Sequence, residues 1–447
     1  MDPELAAACA YVVSDAADLA QRDFRGETVL LRCDLNVPLR SAGGSARPTV
    51  EDDTRARLSL PTIDALVAGG ARVAVLSHLG RPDPDAQSPA EMRAAWSLAP
   101  VADFFARERP GAFRGFVGDC VGPEVSTAVR ALEGGQFVLL ENTRFHPGDA
   151  ANDPAFAEEL VASAGATAFV LDAFGAAHRD HASVTGVAAA LGRARGAGAG
   201  GPPCVLPGLL FRREVEFLTR AVWSPERPFC CVVGGAKVAD KIGVLKALVE
   251  TADCILLGGR MAFTFLAAQG IHVGATSVEE GKLGVAREVI EAARRRGVRL
   301  LLPVDVTVGD TLDPGASTRA VPLAVGCCTP DAPCIAPGTY GGDLGPETAR
   351  QYASSLGHCR TIFWNGPMGK FEVPEYGAGT AAVLGAVAAA RGARGAVTIV
   401  GGGDSVAAVD RAGRAGDFSH VSTGGGAGLE LIEGRHMPGV RAVHRWR

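Results

Sequence analysis

Short apolar, β-branched runs alternate with helical stretches along the whole chain, and this alternation constrains the fold more than any other feature. Runs that are apolar on both faces are typical of strands buried in parallel sheets, linked by the helices of right-handed βαβ units. The fold class indicated is therefore α/β with parallel sheets. The predicted strands are Thr28–Leu31, Val73–Leu76, Phe137–Leu140, Ala168–Leu171, Phe229–Val233, Cys254–Leu257, Arg299–Leu302, Thr361–Trp364 and Val397–Val400.

The length of the chain and one biased segment predict two domains. A chain of 447 residues is long enough for two or three domains, each with its own core. Gly192–Pro207 is rich in Gly, Ala and Pro, which is typical of a domain boundary. Leu209–Val222 follows it with apolar residues every three or four positions, which predicts an amphipathic connector helix. A second biased stretch, Thr311–Gly342, is interpreted as an irregular surface excursion.

Charge and cysteine usage exclude several classes of protein. The formal net charge of −5 gives no overall basic field, so nucleic-acid or membrane binding is not indicated. The apolar runs are shorter than the roughly 18 residues that a membrane span needs. Eleven cysteines without a C-x-x-C pair favour reduced thiols over a disulfide framework or a zinc site. We expect a monomer in the cytoplasm, with an organelle form as the open alternative.

Arginines and histidines gather after the predicted strands of the first half. Because the carboxyl ends of parallel strands meet at one crevice, these cations predict a site for a small substrate that bears phosphate and carboxylate. Asp34 and Asn36, which bind anions poorly, are predicted to hold a substrate hydroxyl. The cations are Arg32, Arg55, His78, Arg81, Arg144, His178, Arg179 and His181.

Glycine turns dominate the second half, and glycine as a whole is in excess at 58 copies. Turns such as Gly401–Asp404 favour phosphate binding, because no Cβ blocks the approach to the backbone N–H groups. Neither a Walker A motif nor a dinucleotide fingerprint follows the first strand, which disfavours a Rossmann-type oxidoreductase. Lys237 and Lys241 are predicted on one face of a helix opened by the glycine turn at 234–237, and Asp404 is a candidate magnesium ligand. Together, the halves indicate a kinase.

A set of motifs makes the sequence resemble the phosphoglycerate kinase family, from about Phe24 to Val440. The resemblance implies a bilobal, hinge-bending kinase of two Rossmann-like domains joined by a connector helix. It implies phosphoryl transfer between 1,3-bisphosphoglycerate and Mg·ADP, giving 3-phosphoglycerate and ATP. The motifs are RCDLNVP at 32–38, SHLGRP at 77–82, ENTRFH at 141–146, DAFGAAHR at 172–179, GGAKVADK at 234–241, WNGPMG at 364–369, GGGDS at 401–405 and HVSTGGGA at 420–427.

The resemblance also implies a domain layout and a residue set. The domains are residues 1–206 for phosphoglycerate, 207–222 for the connector, 223–430 for the nucleotide and 431–447 for a tail returning to the first domain. Phosphoglycerate would be bound by Asp34, Asn36, Arg55, His78, Arg81, Arg144, His178 and Arg179. The catalytic set is Arg55, Lys237, Gly425 and Gly426. The nucleotide would be bound by Gly235, Ala236, Lys237, Lys241, Gly259, Arg260, Leu312, Gly342, Asn365, Pro367, Glu372, Gly401, Gly402, Gly403, Asp404 and Ser405, with Asp404 as the Mg²⁺ ligand.

Three positions depart from the family pattern, and all are expected near the base. Arg260 stands where the family has a small residue, and Gly342 stands where an apolar residue is common. Leu312 takes a position that is often aromatic. These differences predict altered nucleotide affinity or base selectivity. The alternative is a paralogue with a remodelled nucleotide pocket and weak or altered activity.

Overall fold

A computed structural model describes residues 2–15, 19–40, 48–83, 86–195, 204–323 and 334–446. The chain divides into two compact units. Unit 1 comprises Met1–Glu216 and Arg435–Arg447, and unit 2 comprises Phe217–Gly434. The predicted boundary segment and the predicted excursion lie partly outside the described residues, at 196–203 and 324–333.

Unit 1 contains a six-stranded parallel sheet in the order β5-β6-β4-β1-β7-β8. Strand order reverses beside β1, and such a switch point creates a crevice at the carboxyl ends of the strands. A two-stranded antiparallel ribbon, β2 with β3, follows β1. The strands are β1 (Thr28–Arg32), β2 (Leu39–Arg40), β3 (Thr49–Val50), β4 (Arg72–Leu76), β5 (Phe113–Val117), β6 (Gln136–Leu140), β7 (Ala168–Leu171) and β8 (Val205–Pro207).

The helices of unit 1 include α9, which continues past Glu216 into unit 2. Their boundaries carry the expected signals: Ser88 forms a capping box with Glu91 ahead of α3, and proline opens several helices. They are α1 (Pro3–Ala10), α2 (Thr54–Ala68), α3 (Pro89–Trp96), α4 (Ala99–Glu108), α5 (Pro123–Arg130), α6 (Pro147–Ala150), α7 (Pro154–Ala164), α8 (Val187–Arg195) and α9 (Leu209–Val222).

Unit 2 repeats the parallel architecture, with the strand order β11-β10-β9-β15-β16-β17. A three-stranded antiparallel sheet, β13-β12-β14, accompanies it. The strands are β9 (Phe229–Val233), β10 (Cys254–Leu257), β11 (Arg299–Leu301), β12 (Asp305–Gly309), β13 (Thr318–Pro322), β14 (Tyr340–Leu344), β15 (Thr361–Asn365), β16 (Val397–Gly401) and β17 (His420–Val421).

The helices of unit 2 pack on its sheets, and the last helix of the chain, α17, belongs to unit 1. Helix α14 is rich in Ala and Gly, and Gly395 ends it in a left-handed conformation. The helices of unit 2 are α10 (Ile242–Thr251), α11 (Gly259–Ala268), α12 (Leu283–Arg296), α13 (Pro346–Leu356), α14 (Ala378–Arg394), α15 (Gly403–Arg411) and α16 (Gly426–Ile432), and α17 of unit 1 is Pro438–Arg445.

The predicted α/β class with parallel sheets is confirmed, and each predicted strand is present with its ends within one residue. The interpretation of Thr311–Gly342 as irregular is wrong where it is described, because β13 and the start of β14 lie in it. These strands were missed because β13 exposes four of its five residues and β14 contains Gly341 and Gly342, so neither shows a buried β-branched run.

Buried cores explain why the parallel strands appear in the sequence as continuous apolar runs. All five residues of β1, β6, β9 and β15 are buried. Full burial of one such apolar side chain contributes about 1.5–3 kcal/mol. None of the helices in the described part of the chain has the length and apolar character needed to cross a bilayer.

Candidate active site

The predicted phosphoglycerate residues of unit 1 follow four adjacent strands, β6, β4, β1 and β7. Because the strands are parallel, the loops that carry these residues lie at one edge of the sheet. Arg55 is added from the first turn of α2. The others are Asp34 and Asn36 after β1, His78 and Arg81 after β4, Arg144 after β6, and His178 and Arg179 after β7.

Asp34 and Asn36 use part of their hydrogen-bonding capacity to hold neighbouring groups. The Arg55 guanidinium donates to Asp34 Oδ2 at 2.6 Å, and the Asn36 backbone N–H donates to Asp34 Oδ1 at 3.2 Å. Asn36 Oδ1 in turn accepts the Gly80 N–H at 2.8 Å. Asp34 therefore orients Arg55, a role that the sequence-based assignment of Asp34 to the substrate hydroxyl did not include.

His78 is buried against a guanidinium and is held neutral. Its Nδ1 lies 3.0 Å from Nη2 of Arg32, a residue that is itself only 1% exposed. Burial first, and then the charges of Arg32 and Arg144, lower the pKa of His78 well below its ordinary value. A guanidinium can only donate, so Nδ1 is the acceptor and Nε2 carries the proton. This tautomer leaves an N–H donor, the group that an anionic oxygen requires.

The arginines of this cluster repel one another. Burial lowers the pKa of Arg144, and nearby Arg32, Arg81 and Arg179 lower it further. Arg144 also donates to the Gly80 carbonyl at 2.6 Å, which fixes its direction. The repulsion is relieved when an anion arrives, so the cluster is suited to bind one.

Asp149 is a buried carboxylate in this cluster that sequence reasoning missed. It accepts the Thr143 hydroxyl at 2.6 Å and the Ser183 N–H at 2.9 Å. Burial acts to raise the pKa of Asp149, but Arg32 and these hydrogen bonds outweigh burial and lower it. The signal was an acid three residues after the ENTRFH motif, in a position that looks like an ordinary helix start. Arg32 was noted as a cation but not as a site residue.

In unit 2, backbone approaches backbone where the glycine motifs meet. A Cβ built on Gly234 would lie 2.1 Å from the Pro367 carbonyl oxygen. Gly366 has φ +98° and would place a Cβ 2.2 Å from the Gly234 carbonyl oxygen. The N–H of Gly259, at φ +66°, donates to the Met368 carbonyl at 2.8 Å. Because glycine has no Cβ, these residues allow the loops after β9, β10 and β15 to pack backbone against backbone.

The prediction that Lys237 and Lys241 share a face of the following helix is wrong. Helix α10 begins at Ile242, and both lysines lie in the turns before it. This segment is held instead by Glu279, whose carboxylate accepts the N–H groups of Val238 and Ala239. Lys237 is exposed, which suits a residue that meets a ligand.

Lys241 is half-buried and bonded to Asn365. Its Nζ donates to Asn365 Oδ1, and burial lowers its pKa although Asp240, Asp404 and Glu433 act to raise it. The Asn365 side-chain nitrogen is buried without a hydrogen-bond acceptor among the described residues. Lys241 and Asn365 therefore form one polar pair, reached from motifs 124 positions apart.

Two further glycine turns open helices. Gly402, at φ +88°, precedes the first residue of α15, and Gly425, at φ +52°, precedes α16. Exposed Asp404 lies in the first turn of α15, while buried Ser405 accepts the Gly366 N–H at 2.5 Å. The turn at Gly401–Gly403 is thereby joined to the loop that carries Pro367.

The structure shows which groups contact the three residues that depart from the family pattern. The Tyr376 ring packs on Gly342, where a Cβ would lie 2.2 Å from it, so the space freed by this glycine is filled rather than open. Leu312 packs beside Tyr376 in the same small cluster. Arg260 turns back towards the glycine turn, donating to the Ala236 carbonyl at 3.2 Å.

Lys370 is a neighbour of this region that sequence reasoning missed. Its Nζ donates to the Leu312 carbonyl at 2.7 Å, and its N–H donates to the Gly342 carbonyl at 2.9 Å. It directly follows the WNGPMG motif, which was the available signal. Glu372, two residues on, is exposed.

Comparisons with known proteins agree with this arrangement. The sequence profile of the family described as Phosphoglycerate kinase matches residues 19–435. A phosphoglycerate kinase of Synechococcus sp. (strain JA-3-3Ab) is 46% identical over 424 residues, covering 94% of this chain and 96% of that protein. Phosphoglycerate kinase 1, chloroplastic, of Arabidopsis thaliana is 43% identical, covering 95% of this chain and 81% of that protein.

A solved structure extends the similarity to the fold. The phosphoglycerate kinase from Coxiella burnetii superposes with a TM-score of 0.79 at 34% identity, covering 97% of this chain and all of that one. The shared profile, the two parallel sheets and the motif residues at their carboxyl ends lead to one conclusion. The chain belongs to the phosphoglycerate kinase family.

Proposed function

We propose that this chain catalyses the reversible transfer of a phosphoryl group between 1,3-bisphosphoglycerate and Mg·ADP, which gives 3-phosphoglycerate and ATP. The observation that carries the proposal is the cluster of mutually repelling arginines at the strand ends of unit 1. Arg144 there is fixed by the Gly80 carbonyl and lies beside a neutral His78. A ligand with both phosphate and carboxylate supplies the negative charge that this cluster lacks.

In the proposed binding mode, the cations of unit 1 hold phosphoglycerate. Arg81, Arg144 and Arg179 supply guanidinium donors, and His78 and His178 supply imidazole donors. Arg55, which donates a 2.6 Å hydrogen bond to Asp34, is proposed to neutralise the charge of the transferred phosphoryl group. Asn36 and Asp34 hold the hydroxyl and carboxylate side of the substrate.

Unit 2 is proposed to bind the nucleotide mainly through its backbone. The N–H groups of Ala236 and of the turn at Gly401–Gly403 are proposed to bind phosphate. Gly235 and Gly259, whose N–H groups donate to the Pro367 and Met368 carbonyls, are proposed to let the backbone approach the nucleotide closely. Lys241 meets the phosphates, Asn365 and Pro367 flank the nucleotide, and Glu372 meets the ribose. Around the base, Arg260, Leu312 and Gly342 are expected, and Ser405 holds the loop that carries Pro367.

Asp404 fits a magnesium ligand, because a single exposed carboxylate beside a phosphate-binding turn is the donor that Mg²⁺ takes together with nucleotide phosphates. When bound, Mg²⁺ supplies neutralisation of the phosphate charge. Lys237, Arg55 and the N–H groups at Gly425 and Gly426 are proposed to stabilise the phosphoryl group during transfer. The attacking oxygen belongs to a phosphate or carboxylate, so no general base is needed.

A direct assay tests the proposal. The purified chain, supplied with 1,3-bisphosphoglycerate, ADP and Mg²⁺, should form ATP, and chelation of Mg²⁺ by EDTA should stop the reaction. The reverse reaction should consume ATP only when 3-phosphoglycerate is present. Absence of transfer in both directions, with the chain shown to be folded by circular dichroism, would contradict the proposal.

The comparisons do not favour the alternative of a weakly active paralogue with a remodelled nucleotide pocket, since the chain matches relatives named phosphoglycerate kinase over almost its whole length. A monomer is proposed, and sedimentation velocity tests it. A cytoplasmic location stays a prediction, because one relative at 43% identity is named as chloroplastic. Imaging of a fluorescent fusion would decide the compartment.

A further inference from the structure

Asp172 is a buried carboxyl group that the proposed reaction leaves without a role. It directly follows β7, is 1% exposed, and donates its backbone N–H to the Arg32 carbonyl at 2.8 Å. The loop that begins at Asp172 carries His178 and Arg179, two of the proposed phosphoglycerate ligands. Asp172 thus stands at the base of a substrate-binding loop without being part of the cation cluster.

The side chain of Asp172 holds the first turn of α9. Its Oδ1 accepts the Phe211 N–H at 3.1 Å, and the Leu209 N–H donates to the Thr62 hydroxyl at 3.0 Å. The first N–H groups of a helix have no partner within the helix, so Asp172 and Thr62 provide the cap that α9 needs. An oxygen that carries negative charge at this end of the helix also interacts favourably with the helix dipole.

The fit around this carboxyl group is specific. A Cβ on Gly208 would lie 2.1 Å from Asp172 Oδ1, so the residue before α9 must be glycine. The Gly208 N–H donates to the Leu171 carbonyl at 2.8 Å, which ties the same segment to the end of β7. Strand end, substrate loop and helix start therefore meet at Asp172.

The environment of the second carboxyl oxygen of Asp172, Oδ2, favours the protonated form of the group. Asp172 Oδ2 is buried without a hydrogen-bond partner among the described residues, and burial raises the pKa of Asp172 to about 7. The titratable group facing it is Cys33, after β1, whose pKa is raised by its own burial and then by Asp172. From α2 and α9 the groups that face it are a hydroxyl and backbone N–H groups.

We propose that Asp172 is a positioning residue, which ties the first turn of α9 to the strand end from which the His178–Arg179 loop extends. It sets the arrangement of the phosphoglycerate ligands without touching substrate. This inference rests on the proposed function. Because α9 continues from unit 1 into unit 2, the same cap anchors the segment through which the chain passes between the units.

The test compares Asp172→Ala, Asp172→Asn and a matched control, Val170→Ala. Val170 is a fully buried residue of β7, so its truncation destabilises the same strand without touching the cap. For Asp172→Ala, we expect KM for 3-phosphoglycerate to rise about tenfold with KM for ATP unchanged, as loss of a buried hydrogen bond permits. Asp172→Asn keeps the acceptor oxygen and should restore KM to within about twofold of wild type.

Hydrogen exchange provides a readout that needs no activity. The amides of Leu210 and Phe211 should exchange faster in Asp172→Ala than in Val170→Ala at equal global stability. If both variants show the same exchange and the same KM values, Asp172 is only structural and the inference fails. Wild-type turnover separates the two proposals: an inactive wild type overturns the proposed function, whereas active enzyme with unchanged Asp172→Ala overturns this inference.

Discussion

Unit 1 and unit 2 are each built on a six-stranded parallel sheet, but they offer different groups to an anion. Each has six parallel strands with a switch in strand order, and each places its motifs at the carboxyl ends. Unit 1 uses side chains there, with Arg32, Arg144 and His78 in a crowded and partly buried cluster. Unit 2 uses backbone, with glycines such as Gly234 and Gly366 packed within van der Waals contact of other main chain.

The difference shows how one architecture can meet two ligands. Guanidinium groups read the direction of carboxylate and phosphate oxygens, so unit 1 is suited to a small substrate with a fixed charge pattern. Backbone N–H groups bind the phosphate oxygens of a nucleotide without selecting for the rest of the molecule. Replacing a cationic side chain of unit 1 should therefore change the affinity for substrate. Adding a Cβ at a closely packed glycine of unit 2 should change the free energy of unfolding.

The largest effect is expected for Lys237→Ala, because Lys237 is the side-chain cation proposed to act on the transferred group from the backbone-rich unit. Loss of one such charge lowers kcat by about 10²–10³-fold. Lys246→Ala, at an exposed lysine 3.8 Å from Glu288, is the control and should leave turnover unchanged. Steady-state kinetics would contradict the assignment if kcat for Lys237→Ala stayed within about threefold of wild type.

A smaller effect is expected for Arg144→Ala in unit 1. Removing a charge-assisted donor should raise KM for 3-phosphoglycerate by roughly 10–100-fold, with KM for ATP unchanged. Arg114→Ala, at an exposed arginine of β5, serves as the matched control. An equal rise in both KM values would mean that the side chains of unit 1 do not act on phosphoglycerate alone.

Gly234→Ala tests the backbone packing of unit 2. The added Cβ would lie 2.1 Å from the Pro367 carbonyl oxygen, so overpacking should lower the free energy of unfolding by about 1–3 kcal/mol. Gly403→Ala is the control, since a Cβ added there would have no atom within 4 Å beyond its own helix and chain neighbours. Urea unfolding of both variants makes the comparison, and equal midpoints would show that the close approach is unimportant.

The units should also resemble each other in one pH response. Burial raises the pKa of Asp172 in unit 1 and of Asp343 in unit 2 from 3.8 to about 7. Between about pH 4 and 7, the folded protein then holds protons that the unfolded chain has lost. The contribution of these groups to stability therefore falls as pH rises through this window and is level above pH 7.

Asp172→Asn and Asp343→Asn, which cannot lose a proton, measure these contributions. The difference in urea midpoint between wild type and each variant should change between pH 5 and 7, and contributions of other groups such as His78 cancel in that difference. A difference that is independent of pH for both variants would show that neither carboxyl titrates in this range.

The smallest effect concerns the base. Arg260 replaces a small residue, and Leu312 stands where the family often has an aromatic residue. We expect KM values for ADP, GDP and IDP within about tenfold of one another, because a leucine offers a base less stacking surface than an aromatic ring does. Arg260→Ala should change the ratios among the KM values for ADP, GDP and IDP while leaving KM for phosphoglycerate unchanged. A strong preference for ADP would contradict the expectation.

The sequence predicted the features that rest on local pattern. Buried parallel strands such as Phe229–Val233 show as unbroken apolar runs, and motif residues follow them directly. What depended on partners far along the chain was missed or misassigned. Glu279 accepts the N–H groups of Val238 and Ala239 from far along the chain, and Tyr376 fills the space at Gly342. Asp149 looks like an ordinary helix residue until Arg32 is placed beside it.

Helix α17 has a consequence for how the protein is made. It packs with α1 in unit 1, where Arg441 pairs with Asp2 and Glu4, yet it follows all of unit 2 in the sequence. A ribosome therefore releases every residue of unit 2 before unit 1 receives its last helix. Unit 1 can therefore complete its packing against α17 only after the whole of unit 2 has been synthesised.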